Sequence, residues 1–229
     1  MPVDLVPALI KQFTGPNSGL VLPAVFKESK YALKERVPIN EEWTPIKFAK
    51  VAPYIIACIA ELVLGGSELN RNEEWLQANL DFVVNVTTGA AKIRMVPNIL
   101  RPLAQYFIHE LRFIPKIKKT AYRLCIPVIE RRVESMKASN DMKHNDYMET
   151  LLLRMELPTT EADFKYHVDC QLLASIAAIF ATSMAFTQAV YGAFSINIPA
   201  NNTSTLTISQ TSRTALSILK PCEPRFDNF

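Results

Sequence analysis

Four cysteines, three histidines and two adjacent acid pairs are the residues here whose types could do chemistry, and their spacing speaks against most of it. Cys58, Cys125, Cys170 and Cys222 lie far apart with no C-x-x-C pair, so neither a zinc site nor a disulfide framework is indicated. The first three sit in apolar helical contexts and read as buried thiols in a reducing compartment. His109, His144 and His167 show no metal-ligand spacing and read as structural or exposed. Glu41-Glu42 and Glu73-Glu74 are sequence neighbours, so on a helix their carboxyls do not face each other for general acid–base work. No phosphate-cradling, dinucleotide-binding or nucleophile-elbow glycine motif occurs.

The residues that remain are apolar. From Cys170 to Tyr191 the chain is free of charge, and no Asp, Glu, Lys or Arg occurs between Asp169 and Arg213. Such a run lies in a sizeable helical core or spans a bilayer. Ala174, Ala178, Ala181, Ala185 and Ala189 recur every three or four residues and form a flat face, with Leu173, Ile176, Phe180 and Met184 on a bulkier side. A flat face admits another helix, a membrane partner or a planar cofactor, and the pattern alone leaves all three open. The abundance of Ala, Ser, Thr and Gln over Leu weakens the membrane reading.

The elements that would position this run are helical. The 229 residues are 49% hydrophobic and 21% charged, with 6 Gly against 15 Pro, which disfavours hairpins and points to an all-α fold. A net charge of +3 is too small to imply a nucleic-acid partner. The start of the chain, MPVDLVPALIKQF, lacks the pattern of a signal peptide. Residues 1–22 read as an irregular segment broken by Gly15-Pro16-Asn17-Ser18-Gly19. Helices are expected from Pro23 to about Arg36, from about Pro45 to Leu64 with a stop at Gly65-Gly66, and from a start within Asn70-Arg71-Asn72-Glu73-Glu74 through Val84. RMVPNILRPLAQYF reads as an irregular connection. A basic helix from Lys116 to Met136, kinked at Pro127, carries Arg112, Lys116, Lys118, Lys119, Arg123, Arg131 and Arg132 near or along a solvated face. After a loop over 139–146 and a short helix over 147–156, Thr160 caps the longest helix, which runs to about Tyr191. Residues 192–229 read as a weakly structured tail.

Four stretches, in order, carry a resemblance: GSELNRNEEWL at 66–76, RMVPNILRPLAQYF at 94–107, IPVIERR at 126–132 and QLLASIAAIFATSMAFTQAVY at 171–191. Together they resemble the middle of a fungal cytochrome P450 of the kind found in terpenoid and indole-diterpenoid pathways. The likeness covers about residues 20–191, so 23–191 is identified as the cytochrome P450-like helical region. It implies a mostly helical domain with one long central helix crossing a haem. It also implies a haem-thiolate monooxygenase chemistry, an apolar small-molecule substrate and a reductase partner. Residues 76–107 then resemble the roof of the substrate pocket. Family members are often anchored to the endoplasmic reticulum, although this sequence shows no anchor of that kind.

The resemblance places Ala177 and Ala178 against the haem. It also aligns the polar pair of the family's proton relay with Phe180 and Ala181, leaving Thr182 as the hydroxyl one residue on, about 100° around a helix. No F-x-x-G-x-x-x-C-x-G loop supplies an iron-ligating Cys, and the E-x-x-R and W-x-x-x-R signatures are absent from the 229 residues. The expectation is a truncated, catalytically inactive family member, its tail being translated intron or frameshifted sequence. From a different class, a membrane-associated or interaction module anchored by residues 170–191 stands as the alternative.

Overall fold

The computed structural model describes residues 18–37, 46–139 and 146–196. Among them every regular element is helical: α1 (Ser18–Arg36), α2 (Phe48–Leu64), α3 (Glu73–Met95), a 3₁₀ turn (Asn98–Leu100), α4 (Arg101–Phe107), α5 (His109–Ser139), α6 (Tyr147–Arg154), α7 (Glu161–Ser175), a π segment (Ile176–Phe180) and α8 (Ala181–Ile196). This is the all-α architecture that the composition leads one to expect. Contacts divide the chain into Met1–Ser183 and Met184–Phe229. The packing described below belongs to the first unit. Of the second, the described part is the remainder of α8.

Capping residues set several ends. Asn72 accepts a hydrogen bond from the Trp75 amide at 3.0 Å, with Glu73 and Glu74 in the first turn of α3, where carboxylates meet the positive end of the helix. Thr160 and Asp163 form a reciprocal capping box at α7. Its three backbone and hydroxyl donors hold the exposed Asp163 carboxyl down at about 2. Asp146 caps α6, accepting from the Glu149 amide at 2.9 Å. Gly65 and Gly66 end α2, and Gly66 takes φ +76°, a left-handed conformation that favours glycine.

Several expected boundaries move. α1 begins at Ser18 and runs through Pro23, so the expected break reaches no further than residue 17. α2 begins at Phe48, and Pro45 lies outside the described residues. The connection read as irregular is largely helical, over Asn98–Leu100 and Arg101–Phe107. Its prolines sit where a missing amide costs little, Pro97 as the cap of the 3₁₀ turn and Pro102 in the first turn of α4. α5 starts at His109 and passes through both Pro115 and Pro127. The last helix passes Tyr191 to reach Ile196. Residues 197–229, Cys222 among them, lie outside the described residues, as do Glu41-Glu42 and His144.

The core is built where α3, α5 and α7 meet. Trp75, Phe82, Ala121, Cys125, Val128, Ile129, Val168 and Leu172 are buried together there, joined by Met148 and Leu152 of α6. A second cluster joins Ala32 of α1, Ile55, Ala57 and Cys58 of α2, Leu76 and Val83 of α3, and Ile179 of the π segment. α3 and α5 approach closely at Gly89, where a Cβ would fall 2.5 Å from Leu111 Cδ2. Full burial of an aliphatic or aromatic side chain contributes roughly 1.5–3 kcal/mol, so these clusters dominate the stability of the packed helices.

The basic helix is less solvated than its composition indicates. Arg132 is 4% exposed, its Nη1 donating to both Asp146 oxygens at 2.8 Å, its Nε to Glu68 at 3.1 Å and its Nη2 to the Gly65 carbonyl at 3.1 Å. The arginine expected on a solvated face is instead the hub that ties the α2–α3 turn to α5 and to the cap of α6. Elsewhere on α5, Lys118 and Tyr122 donate to Asp169 of α7 at 2.7 and 2.8 Å. They fix α7 against α5 from the partly exposed side.

Candidate functional site

The central helix changes geometry at the residues that the resemblance singles out. α7 gives way at Ser175 to five residues of π-helix, and α8 resumes at Ala181. Ala177 is exposed and Ala178 half-buried inside the π segment. Phe180 is half-buried and packs against the second core cluster. Ala181 and Thr182 are both exposed. The Thr182 hydroxyl has no hydrogen-bond partner among the described residues, whereas Ser175 and Ser183 both donate to the preceding turn. The five candidate residues thus form a surface of small side chains with one uncommitted hydroxyl, bounded by one aromatic ring turned toward the core. The alanine stripe is not uniform: Ala174 and Ala178 are half-buried and Ala181 is exposed, while Leu173, expected on the packed side, is 52% exposed. A π segment carries an extra residue per turn, so a stripe drawn at α-helical spacing swings around the helix across it.

Behind this surface lies a group that the sequence reading passed over. Glu61 of α2 is fully buried. Its Oε1 accepts from Ser175 Oγ at 2.7 Å and its Oε2 from Trp75 Nε1 at 2.8 Å. Burial pushes its carboxyl above the usual range, against the opposing pull of hydrogen bonds from Ser175, Trp75 and Gln171. The Gln171 amide, one turn before Ser175, is 1% exposed and lies beside the Glu61 carboxyl. On the other side of the π segment, Ser183 Oγ donates to the carbonyls of Ile179 and Phe180, the latter at 3.2 Å. One signal for Glu61 was present in the sequence: it is the only charge in the run IACIAELVL, otherwise apolar on all sides. Nothing in IAAIF marks a π segment, because its residues are ordinary helix formers.

The surface fits a planar apolar cofactor, since Ala177, Ala181 and Thr182 are small, exposed and uncovered in the described unit. The described cysteines fit the role of metal ligand poorly. Cys58, Cys125 and Cys170 are all buried, and burial pushes the Cys58 thiol up to about 11 and raises the other two. A thiol is a ligand only as thiolate, which such surroundings oppose. Among the described residues no group of three or more His, Cys, Asp or Glu side chains is placed to hold a metal ion. Helix Glu161–Gly192 is long and apolar enough to cross a membrane by length and composition, with a third of its apolar window buried. His167, Gln171 and Ser175 are buried in it, and Ser175 is bonded to Glu61 of α2.

The chain is 29% identical over 189 residues to the cytochrome P450 monooxygenase braC of Annulohypoxylon truncatum, covering 82% of this chain and 38% of that protein. It is 31% identical over 164 residues to the cytochrome P450 monooxygenase ntnM of Nectria sp, covering 72% of this chain and 31% of that protein. The chain is a cytochrome P450-family segment. A shorter match, 38% identical over 86 residues, links the segment to cytochrome P450 monooxygenase 2 of Gibberella fujikuroi, covering 38% of this chain and 18% of that protein. The segment spans about a third of the length of most of the curated relatives it matches. No family model and no solved structure matches it. Haem is the cofactor of the family, and its members act with a substrate and a redox partner.

Proposed function

We propose that this chain supplies the central helical part of a haem monooxygenase acting on an apolar, terpenoid-type metabolite, and that these 229 residues by themselves do not perform the reaction. The observation that carries the reading is the small-residue surface of the central helix, exposed at Ala177, Ala181 and Thr182 and half-buried at Ala178, in a chain matching fungal cytochrome P450 monooxygenases over most of its length. Ala177 and Ala178 leave room for the flat face of the haem. The Thr182 hydroxyl faces the same side and can donate or accept a proton-bearing hydrogen bond there. When bound, the haem supplies the oxygen chemistry. What this chain contributes is the floor that admits the cofactor, and an apolar wall that keeps water from a greasy substrate. The connection at 94–107 contributes Met95, Ile99, Leu103 and Phe107 to such a wall, all strongly exposed.

The inactive half of the proposal rests on the sequence, which holds no Cys-bearing haem loop, and on the burial of three of its four cysteines. A carbon-monoxide difference spectrum of the purified, haem-supplied and reduced chain tests it. The expected result is no thiolate-type band, and a clear thiolate band overturns the inactive reading. The same spectrum from the product of the full transcript should show the band. Its absence there would sink the monooxygenase assignment.

A further inference from the structure

We propose that the cleft between α5 and α7 is a binding site for a small amphiphilic anion, one acidic head group on an apolar body. The cleft holds about 590 Å³, a volume within the range of small-molecule sites. It lies away from the surface at Ala177, since Lys165 on its rim stands about 18 Å earlier along the central helix. One wall is a stripe of α5. Pro115, Lys119, Tyr122 and Ile126 recur at spacings of four, three and four, which puts them on one face of the helix. Tyr122 and Ile126 pack against the first core cluster, so the floor they form is anchored from beneath. The Tyr122 hydroxyl donates to Asp169 at 2.8 Å, which fixes the ring before any ligand arrives. An apolar floor held in place in this way costs a ligand little reorganisation on binding.

The rim is cationic. Lys119 and Arg123 stand on α5 and Lys165 on α7, with Glu161 as the one carboxylate in the lining. Lys119 is exposed and has no hydrogen-bond or ion-pair partner among the described residues. Lys165 pairs with Glu161 at 2.7 Å, and Arg123 pairs with Glu74. Both pairs are exposed, and exposed pairs are weak enough to exchange partners. Lys165 also stands 6.0 Å from the centre of the Tyr122 ring, and Lys118 5.8 Å from it. Lys118 is already satisfied by Asp169 at 2.7 Å. The charge left over in the cleft is therefore positive and centred on Lys119, beside an apolar floor. An acidic head group meets Lys119 and Lys165 there while its apolar body covers Tyr122 and Ile126. A neutral molecule gains only the floor, and a cation is repelled at the rim.

Isothermal titration of the full chain with decanoate, and with decanol as the neutral control, tests the site. Decanoate should bind about fivefold more tightly than decanol, or better, as expected for two exposed charge contacts. Lys119→Ala combined with Lys165→Ala should weaken decanoate by about five- to tenfold and leave decanol within about twofold of its original affinity. Arg112→Ala combined with Lys116→Ala removes two exposed cations of α5 that lie outside the cleft lining, and should change decanoate by less than about twofold. Decanoate carrying a diazirine should label the unaltered chain within residues 115–127 and 161–165. Equal affinity for decanoate and decanol would overturn the proposal, as would an unchanged decanoate affinity after loss of both lysines. Labelling confined to the exposed apolar residues of 95–107 would do the same. None of these readouts depends on haem, so failure of the monooxygenase reading would show separately in the carbon-monoxide spectrum.

Discussion

Gly66→Ala is the substitution for which the structure gives the sharpest number. Gly66 sits at φ +76°, and a Cβ there would lie 2.4 Å from Asp146 Oδ2 and 2.7 Å from Arg132 Nη2. Both side chains are 4% exposed and bonded to each other, so neither end can swing into water without breaking the pair. Asp146 also caps α6 and Arg132 also holds the Gly65 carbonyl, so displacement disturbs two helix ends at once. The left-handed backbone costs Ala about 1–2 kcal/mol and disrupting a buried ion pair about 3–5 kcal/mol, giving a loss of roughly 4–7 kcal/mol. A domain stable by about 5–15 kcal/mol would be brought near its folding limit. Urea unfolding followed by far-ultraviolet circular dichroism measures the loss. The same substitution in an Arg132→Met, Asp146→Ser background isolates the collision, since Ser preserves a cap and neither replacement reaches the new methyl. There the cost should fall to about 1–2 kcal/mol, the backbone contribution alone. Equal costs in both backgrounds, or a loss below about 1 kcal/mol in the native one, would refute the steric reasoning.

The buried carboxyl of Glu61 makes stability fall with rising pH. Its folded-state affinity for a proton exceeds that of the unfolded chain, whose value is near 4.5, so its favourable contribution is complete below that pH and is lost as pH rises above it. Urea midpoints from about pH 5 to about pH 8 should therefore decline more steeply in the wild type than in Glu61→Gln, and parallel slopes would count against a buried, proton-holding Glu61. Thr160→Ala removes one half of the α7 capping box and should cost about 1 kcal/mol in the same assay. An unchanged midpoint would mean that the exposed cap is replaced by water.

Local signals in the sequence located the helices better than they located what the helices do. Thr160, the Gly65-Gly66 pair and the helix start within residues 70–74 each act through their own backbone neighbours, so they were legible without tertiary structure, although which asparagine caps α3 was not. Proline misled in the other direction. Pro23 and Pro115 sit inside continuous helices rather than at their starts. The small-residue surface at Ala177, Ala178 and Thr182 was legible as composition. Its angular arrangement was not, because the residues of the π segment are ordinary helix formers and leave no mark of it in the sequence. Arg132 illustrates the same limit, since its acid partners are 64 and 14 residues away in sequence, and nothing in IPVIERR separates it from the exposed Arg131.

The hub at Arg132 also imposes an order on synthesis. The Gly65 carbonyl emerges from the ribosome 67 residues before the guanidinium that will bind it, and Asp146 follows 14 residues later still. Throughout that interval α2 and α3 can pair, but the turn between them has no cation to close it. The first half of the segment is therefore held loosely until α6 begins to emerge. During that interval a nascent chain is most open to chaperone capture or to cleavage at the Gly65-Gly66 turn.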